Sequence, residues 1–174
     1  MVWEGDESKM TLEMMVEYII EYGALFIFLI VYLEQINFPG LGAAILYPAI
    51  GAFIAYTEGS FIFVFAITLI ASIIGSITLY ILGYYLGNPI LKWLENKFPK
   101  IQKHVNKAVV MSEKYGNKGV LICRFIPAIR TIVSLVSGTL KEDLRGFIIY
   151  STIGIGIWNF VLIVSGYITV ISVR

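Results

Sequence analysis

Charge is scarce in this chain, and so are the side chains that most enzymes use for catalysis. The only histidine, His104, excludes mechanisms that need two. It stands between Lys103 and Lys107 with no metal-ligating set around it. The only cysteine, Cys123, excludes an intramolecular disulfide framework and sits among apolar neighbours as a small packing residue. There is no P-loop, no glycine-rich dinucleotide fingerprint, no HExxH, and no serine or cysteine in a nucleophile motif. Neither enzymatic activity nor a cofactor or metal is expected.

Charged residues make up 14% of the 174, against about 25% in an ordinary soluble domain, while 58% are hydrophobic. The mean hydropathy is +0.82. A domain this small leaves too much surface exposed to hide so many apolar side chains from water, so lipid must be the solvent. The few charges are sorted along the chain. Glu4, Asp6, Glu7, Glu13, Glu17 and Glu21 make the start acidic, without the positive n-region of a signal peptide, so no cleavage is expected. Between Asn88 and Gly119, Lys92, Lys97, Lys100, Lys103, Lys107, Lys114 and Lys118 face only Glu95 and Glu113. An excess of lysine between spans marks a cytoplasmic loop, in a chain expected to be integral to the plasma membrane.

Two segments are long and charge-free enough to cross a bilayer, residues 60–87 and 146–173. Residues 18–33 form a shorter helix that spans or lies in the interface, after an acidic segment 1–17. Two other apolar stretches are interrupted. Residues 38–56 hold Pro39, Gly40, Gly42, Pro48 and Gly51, and residues 119–140 hold Arg124, Pro127, Arg130 and Gly138. Broken backbone survives at membrane depth only when buried in protein or lining a wet cavity, so residues 34–58 and 119–141 read as re-entrant hairpins. Pro39, Gly42, Gly51, Pro127 and Gly138 are their candidate breaks. The linker 88–118 reads as amphipathic helix, with Ile90, Trp93, Leu94 and Phe98 at helical spacing among lysines. A solvated connector is the alternative.

The halves repeat. Pro39 is followed by Gly51, Phe61 and Gly83-Tyr84, and Pro127 by Gly138, Phe147 and Gly166-Tyr167. A broken hairpin precedes a Gly-Tyr-ended span twice, with one clear span between the two units. The expected fold is therefore an all-α integral membrane protein, an inverted repeat of two re-entrant helical hairpins each followed by a transmembrane helix.

Arg124 and Arg130 are the residues most in need of a reason, because an arginine at the bilayer centre costs about 2.5–3.5 kcal/mol on insertion scales. On one continuous helix, positions six apart point about 120° away from each other. A break at Pro127 would let the two converge. Guanidinium offers planar, permanently charged paired donors suited to phosphate. A structural ion pair is the competing explanation. Glu34 is the matching acid, five residues before Pro39. It is an interfacial cap, a proton-exchanging group, or the partner of one of the arginines.

The stretch RFIPAIRTIVSLVSG, followed by Phe147, Trp158 and Gly166-Tyr167, resembles the signature of the DedA family, the SNARE-associated-type proteins that share the VTT domain with eukaryotic lipid scramblases. Glu34, Pro39, Gly75, Tyr80, Gly83 and Gly87 agree with its first half, so the resemblance runs from about Glu34 to Tyr167. It implies two opposed re-entrant hairpins and lipid movement between leaflets. In bacterial members that means recycling of undecaprenyl phosphate or flipping of phospholipid, often linked to the proton motive force. It makes Arg124 and Arg130 the family's essential arginines and Glu34 its first membrane acid. The chain departs from the pattern in three places. Gly42, Ala43 and Ala44 stand where a second acid is common, Gly75-Ser76 where Gly-Asp is common, and Tyr84 where a basic residue is common. The missing acids favour passive scrambling or a different coupling. The chain stops soon after Tyr167, where many relatives continue, which would leave its C-terminus outside.

The expected function is a flippase or scramblase for a phosphate-bearing lipid, a phospholipid or polyprenyl phosphate. Arg124 and Arg130 would hold the phosphate, and Glu34 would gate or couple to protons. Membrane lipids and protons are the expected partners, and nucleic acid is not among them. A carrier for a small anionic solute and a non-transporting membrane scaffold are the alternatives.

Overall fold

The computed structural model describes residues 22–36, 42–87, 89, 91, 102–127 and 129–173. The acidic start, Pro39, and the Ile90, Trp93, Leu94 and Phe98 pattern lie outside the described residues. Among the described residues seven helices and no strand are found. They are α1 (Tyr22–Gln35), α2 (Ala43–Thr57), α3 (Phe61–Leu86), α4 (Gln102–Tyr115), α5 (Asn117–Arg124), α6 (Ile132–Thr139) and α7 (Leu144–Val173).

The two long helices set the frame. With 26 and 30 residues they run about 39 and 45 Å at 1.5 Å per residue, beyond the ~30 Å of hydrocarbon. Their starts are capped. Ser60 Oγ accepts from the Phe63 amide at 3.4 Å, and Asp143 Oδ2 accepts from the Gly146 amide at 2.7 Å, satisfying donors that a helix start leaves open. Only 33% of the apolar stretch in either is buried within the protein. A soluble core helix would be mostly covered, so the exposed rows of Ile62, Ile70, Ile74 and Ile81, and of Ile149, Ile153, Ile157 and Ile168, face lipid.

Helices meet where glycines allow their backbones to touch. On α2, Gly51 lies against the carbonyl of Ile163 in α7, and Gly166 of α7 lies against the carbonyl of Pro48. On α6, Gly138 lies against the carbonyl of Tyr80 in α3, and Gly83 of α3 lies against the carbonyl of Leu135. Both pairs run antiparallel, since residue numbers rise on one helix as they fall on its partner. Each short helix thus packs against the long helix of the other half. Pro48 sits inside α2 without ending it, and Gly51 and Gly138 lie within helices. These two glycines mark close approach rather than the chain breaks read from sequence. Gly42 does stand at a boundary, as the residue before α2.

Two apolar cores result. One gathers Val31, Tyr47, Ile54, Val64, Ala71 and Ile163; the other gathers Tyr80, Val120, Ile129, Val133, Val136 and Phe147. On α3 the order is Val64 and Ala71, then Ser72 and Ser76, then Tyr80; on α7 it is Phe147, then Ser151 and Asn159, then Ile163. The long helices therefore cross antiparallel, and each carries its buried polar residues in its middle, between the two cores.

Candidate functional site

Pro127 positions the site. With no amide hydrogen to donate and a ring that pushes the preceding residue out of the helical region, it follows the end of α5 at Arg124. The chain then passes through tight turns, with the Arg130 amide donating to the Ile126 carbonyl at 3.0 Å, before α6 starts at Ile132. Arg124 and Arg130 thus stand on the two sides of a turn, and their side chains converge.

Arg124, 2% exposed, holds the turn together. Its Nη1 donates to the Arg130 carbonyl at 2.7 Å. Its Nη2 donates at 2.9 Å to Ser134 Oγ on α6 and at 2.9 Å to Ser151 Oγ on α7. Its guanidinium lies 5.9 Å from the Phe147 ring, within cation–π range. The backbone at Gly154 leaves room for the stem, since a Cβ there would fall 2.8 Å from Arg124 Cβ.

Arg130 reaches the other half of the molecule. Its Nη2 donates to both carboxylate oxygens of Glu34, each at 2.9 Å, in a buried ion pair spanning 96 positions of sequence. The Tyr47 and Trp158 rings flank its guanidinium at 5.8 and 5.9 Å. Of the three roles open to Glu34 in sequence, its location is that of an arginine's partner, at the last turn of α1.

Behind Glu34 runs a directed line of hydroxyls. Asn159 Nδ2 donates to Ser72 Oγ at 3.3 Å. Ser72 and Tyr47 hydroxyls are 3.1 Å apart, and Tyr47 donates to Glu34 Oε2 at 3.3 Å. Each hydroxyl accepts from one neighbour and donates to the next, which satisfies the whole line without an orphan. Alongside it Gln35 Nε2 donates to Ser76 Oγ at 3.0 Å. This serine, where Gly-Asp is common in the resembling family, pairs with a neutral amide.

Gln35, Arg124, Arg130, Gly154, Ile155, Trp158 and Asn159 line a void of about 10 Å³, room for one water. Two guanidiniums border it against one carboxylate, so the buried set carries surplus positive charge. The charge balance of such a place favours an anion over a cation.

Sequence reading named Glu34, Arg124 and Arg130, and these come together. It passed over Gln35, Tyr47, Ser72, Ser76, Ser134, Ser151 and Asn159. One signal was available: Thr68, Ser72 and Ser76 recur every four residues, a small-polar stripe on an otherwise apolar helix.

Known proteins resemble the chain along most of its length. The VTT domain pattern matches residues 38–168. "Undecaprenyl phosphate transporter A" of Staphylococcus aureus is 30% identical over 162 residues, covering 88% of this chain and 77% of its own. An "Alkaline phosphatase-like protein" of Lactococcus lactis is 28% identical over 159 residues, covering 88% and 74%. "Protein DedA" of Escherichia coli is 29% identical over 99 residues, covering 57% and 45%. No solved structure matches. A helical membrane protein with a buried arginine pair inside this pattern, the chain belongs to the DedA family of VTT-domain proteins.

Proposed function

We propose that this protein moves a phosphate-bearing lipid between the leaflets of the plasma membrane, with Arg124 and Arg130 receiving the headgroup phosphate. The observation that carries this reading is the surplus positive charge buried between the two apolar cores. Burying a cation without a counter-charge is costly, and a lipid phosphate would supply both the charge and the oxygens. The relative named for undecaprenyl phosphate transport supports the same chemistry.

In this reading Glu34 occupies Arg130 as a tethered stand-in for the anion. An arriving phosphate displaces it, and a proton taken up by the freed carboxylate would link transport to a pH gradient. The crossed glycine contacts support an inverted repeat with the site at its centre, residues 34–58 and 119–141 being the two hairpins and 88–118 the cytoplasmic linker. An apolar groove of about 640 Å³ runs between α1 and α2, lined by Phe26, Ile27, Ile30, Leu46, Ile50 and Phe53. Ile30 is one turn from Glu34 and Leu46 adjoins Tyr47, so a hydrocarbon tail lying there would keep its headgroup beside the arginines.

Protein-only vesicles test the proposal. Wild type is expected to move a fluorescent phospholipid or a polyprenyl phosphate, and folded Arg130→Lys, which keeps charge but loses the planar fork, is expected to fail. If wild type moves neither lipid, with or without a pH gradient, lipid transport is wrong. Uptake of a soluble anion would then identify a solute carrier, and phosphate release from the probe would identify a hydrolase.

A further inference from the structure

Seven buried side-chain atoms among the described residues have no hydrogen-bonding partner, and they divide by chemistry. The four oxygens, on Ser112, Asn117, Ser137 and Glu142, belong to side chains away from the central void. The three nitrogens are Arg124 Nε, Arg130 Nη1 and Trp158 Nε1, and all three side chains line it. A buried donor left without an acceptor is destabilising and uncommon, and three on the rim of one void ask for a common acceptor. The other guanidinium nitrogens with assigned partners serve the protein itself: Nη1 and Nη2 of Arg124 bind the turn and two serines, and Nη2 of Arg130 binds Glu34. Trp158 has one donor, and it is unused.

We propose that the indole N–H of Trp158 is a phosphate ligand, forming with Arg124 Nε and Arg130 Nη1 a three-donor subsite for the oxygens of the transported headgroup. The proposal rests on the phosphate-lipid reading and adds a residue to it. The three unpartnered groups at this subsite are all donors, which favours an anion with several acceptor oxygens over an amine. Trp158 also supports Arg130 through its ring face. The ring contact and the N–H contact are separable in part, because Trp158→Phe keeps an aromatic face while removing the donor together with part of the indole ring. The void admits one water rather than a phosphate, so α7 and the turn after α5 have to part to load the site.

The test uses purified full-length protein in detergent, with farnesyl phosphate, farnesol and inorganic phosphate as probes. Farnesyl phosphate is expected to bind wild type. Trp158→Phe is expected to weaken that binding about tenfold or more, the usual range for a hydrogen bond to a charged group, with its thermal midpoint without ligand little changed. A second readout covers a variant that folds poorly. With Trp3 and Trp93 changed to Phe, Trp158 is the remaining indole, and its emission should shift red on adding farnesyl phosphate but not farnesol. The same shift with inorganic phosphate would make free phosphate a ligand too, and its absence would require the lipid tail. Farnesyl phosphate binding that leaves both the Trp158→Phe affinity and the indole emission unchanged overturns the proposal while sparing the phosphate-lipid reading. No binding to wild type overturns both.

Discussion

Gly51 of α2 and Ile163 of α7 meet backbone to backbone, so close that even a methyl group on Gly51 would overlap the Ile163 carbonyl. Gly138 of α6 stands in the same relation to Tyr80 of α3. Alanine normally strengthens a helix by about 1 kcal/mol over glycine, but here the added carbon would have to push a backbone aside, at about 1–3 kcal/mol. Gly51→Ala, Gly83→Ala, Gly138→Ala and Gly166→Ala should each lower the midpoint of thermal unfolding in detergent. Gly23→Ala on α1 meets open space and Gly156→Ala on α7 meets only ordinary contact with Leu69, so these two should hold or raise it. A uniform response in all six would refute the argument.

Gly154→Ala tests a different kind of contact. Its Cβ would fall 2.8 Å from Arg124 Cβ at the base of that side chain, a milder overlap than Gly51→Ala would make with the Ile163 carbonyl. Lipid translocation should fall severalfold while stability falls by less than for Gly51→Ala. Equal losses in both measurements would make Gly154 a packing residue only.

Glu34→Gln leaves the buried Arg130 without its counter-charge, and breaking a buried pair from one side typically costs about 3–5 kcal/mol. The variant should melt well below wild type. Because a phosphate would then face no competitor at Arg130, farnesyl phosphate should raise its midpoint by more than it raises that of wild type. A smaller rise would argue that Glu34 assists the anion rather than excluding it.

Tyr47→Phe removes the hydroxyl between Ser72 and Glu34. The loss of a buried hydrogen bond is worth about 0.5–1.5 kcal/mol, and Arg130 keeps its aromatic neighbour. Modest destabilisation is expected, with an altered pH dependence of transport. Translocation curves for wild type and variant that superimpose across pH would show that Tyr47 plays no part in setting the charge of Glu34.

Much of this architecture was readable from residue order alone. The apolar periods marked α3 and α7, and Pro127 between two arginines marked the turn that brings them together. The equivalence of Gly51 with Gly138, and of Gly83 with Gly166, was also visible, but its meaning was not. Glycine in a greasy stretch reads as a break, and only the packed partner distinguishes that from a point of close approach. Tyr47, Ser72 and Asn159 were hidden for a related reason. A hydroxyl or amide on a membrane helix carries no sign of whom it faces until three separate helices are placed around it.

The crossed packing also orders events during synthesis. When α6 leaves the ribosome, the α3 surface that receives Gly138 already exists. The α2 helix has no such fortune, because Ile163 and Gly166 lie about 110 residues downstream, roughly 5–20 s later at ~5–20 residues per second. During that interval the nascent first half holds an unfilled seat for Gly51, and Glu34 waits in the membrane for an arginine not yet made. Two halves that look equivalent in the finished molecule are therefore unequal in time. The first is the half whose assembly would depend on insertion factors, or on lipid filling the gap until the second arrives.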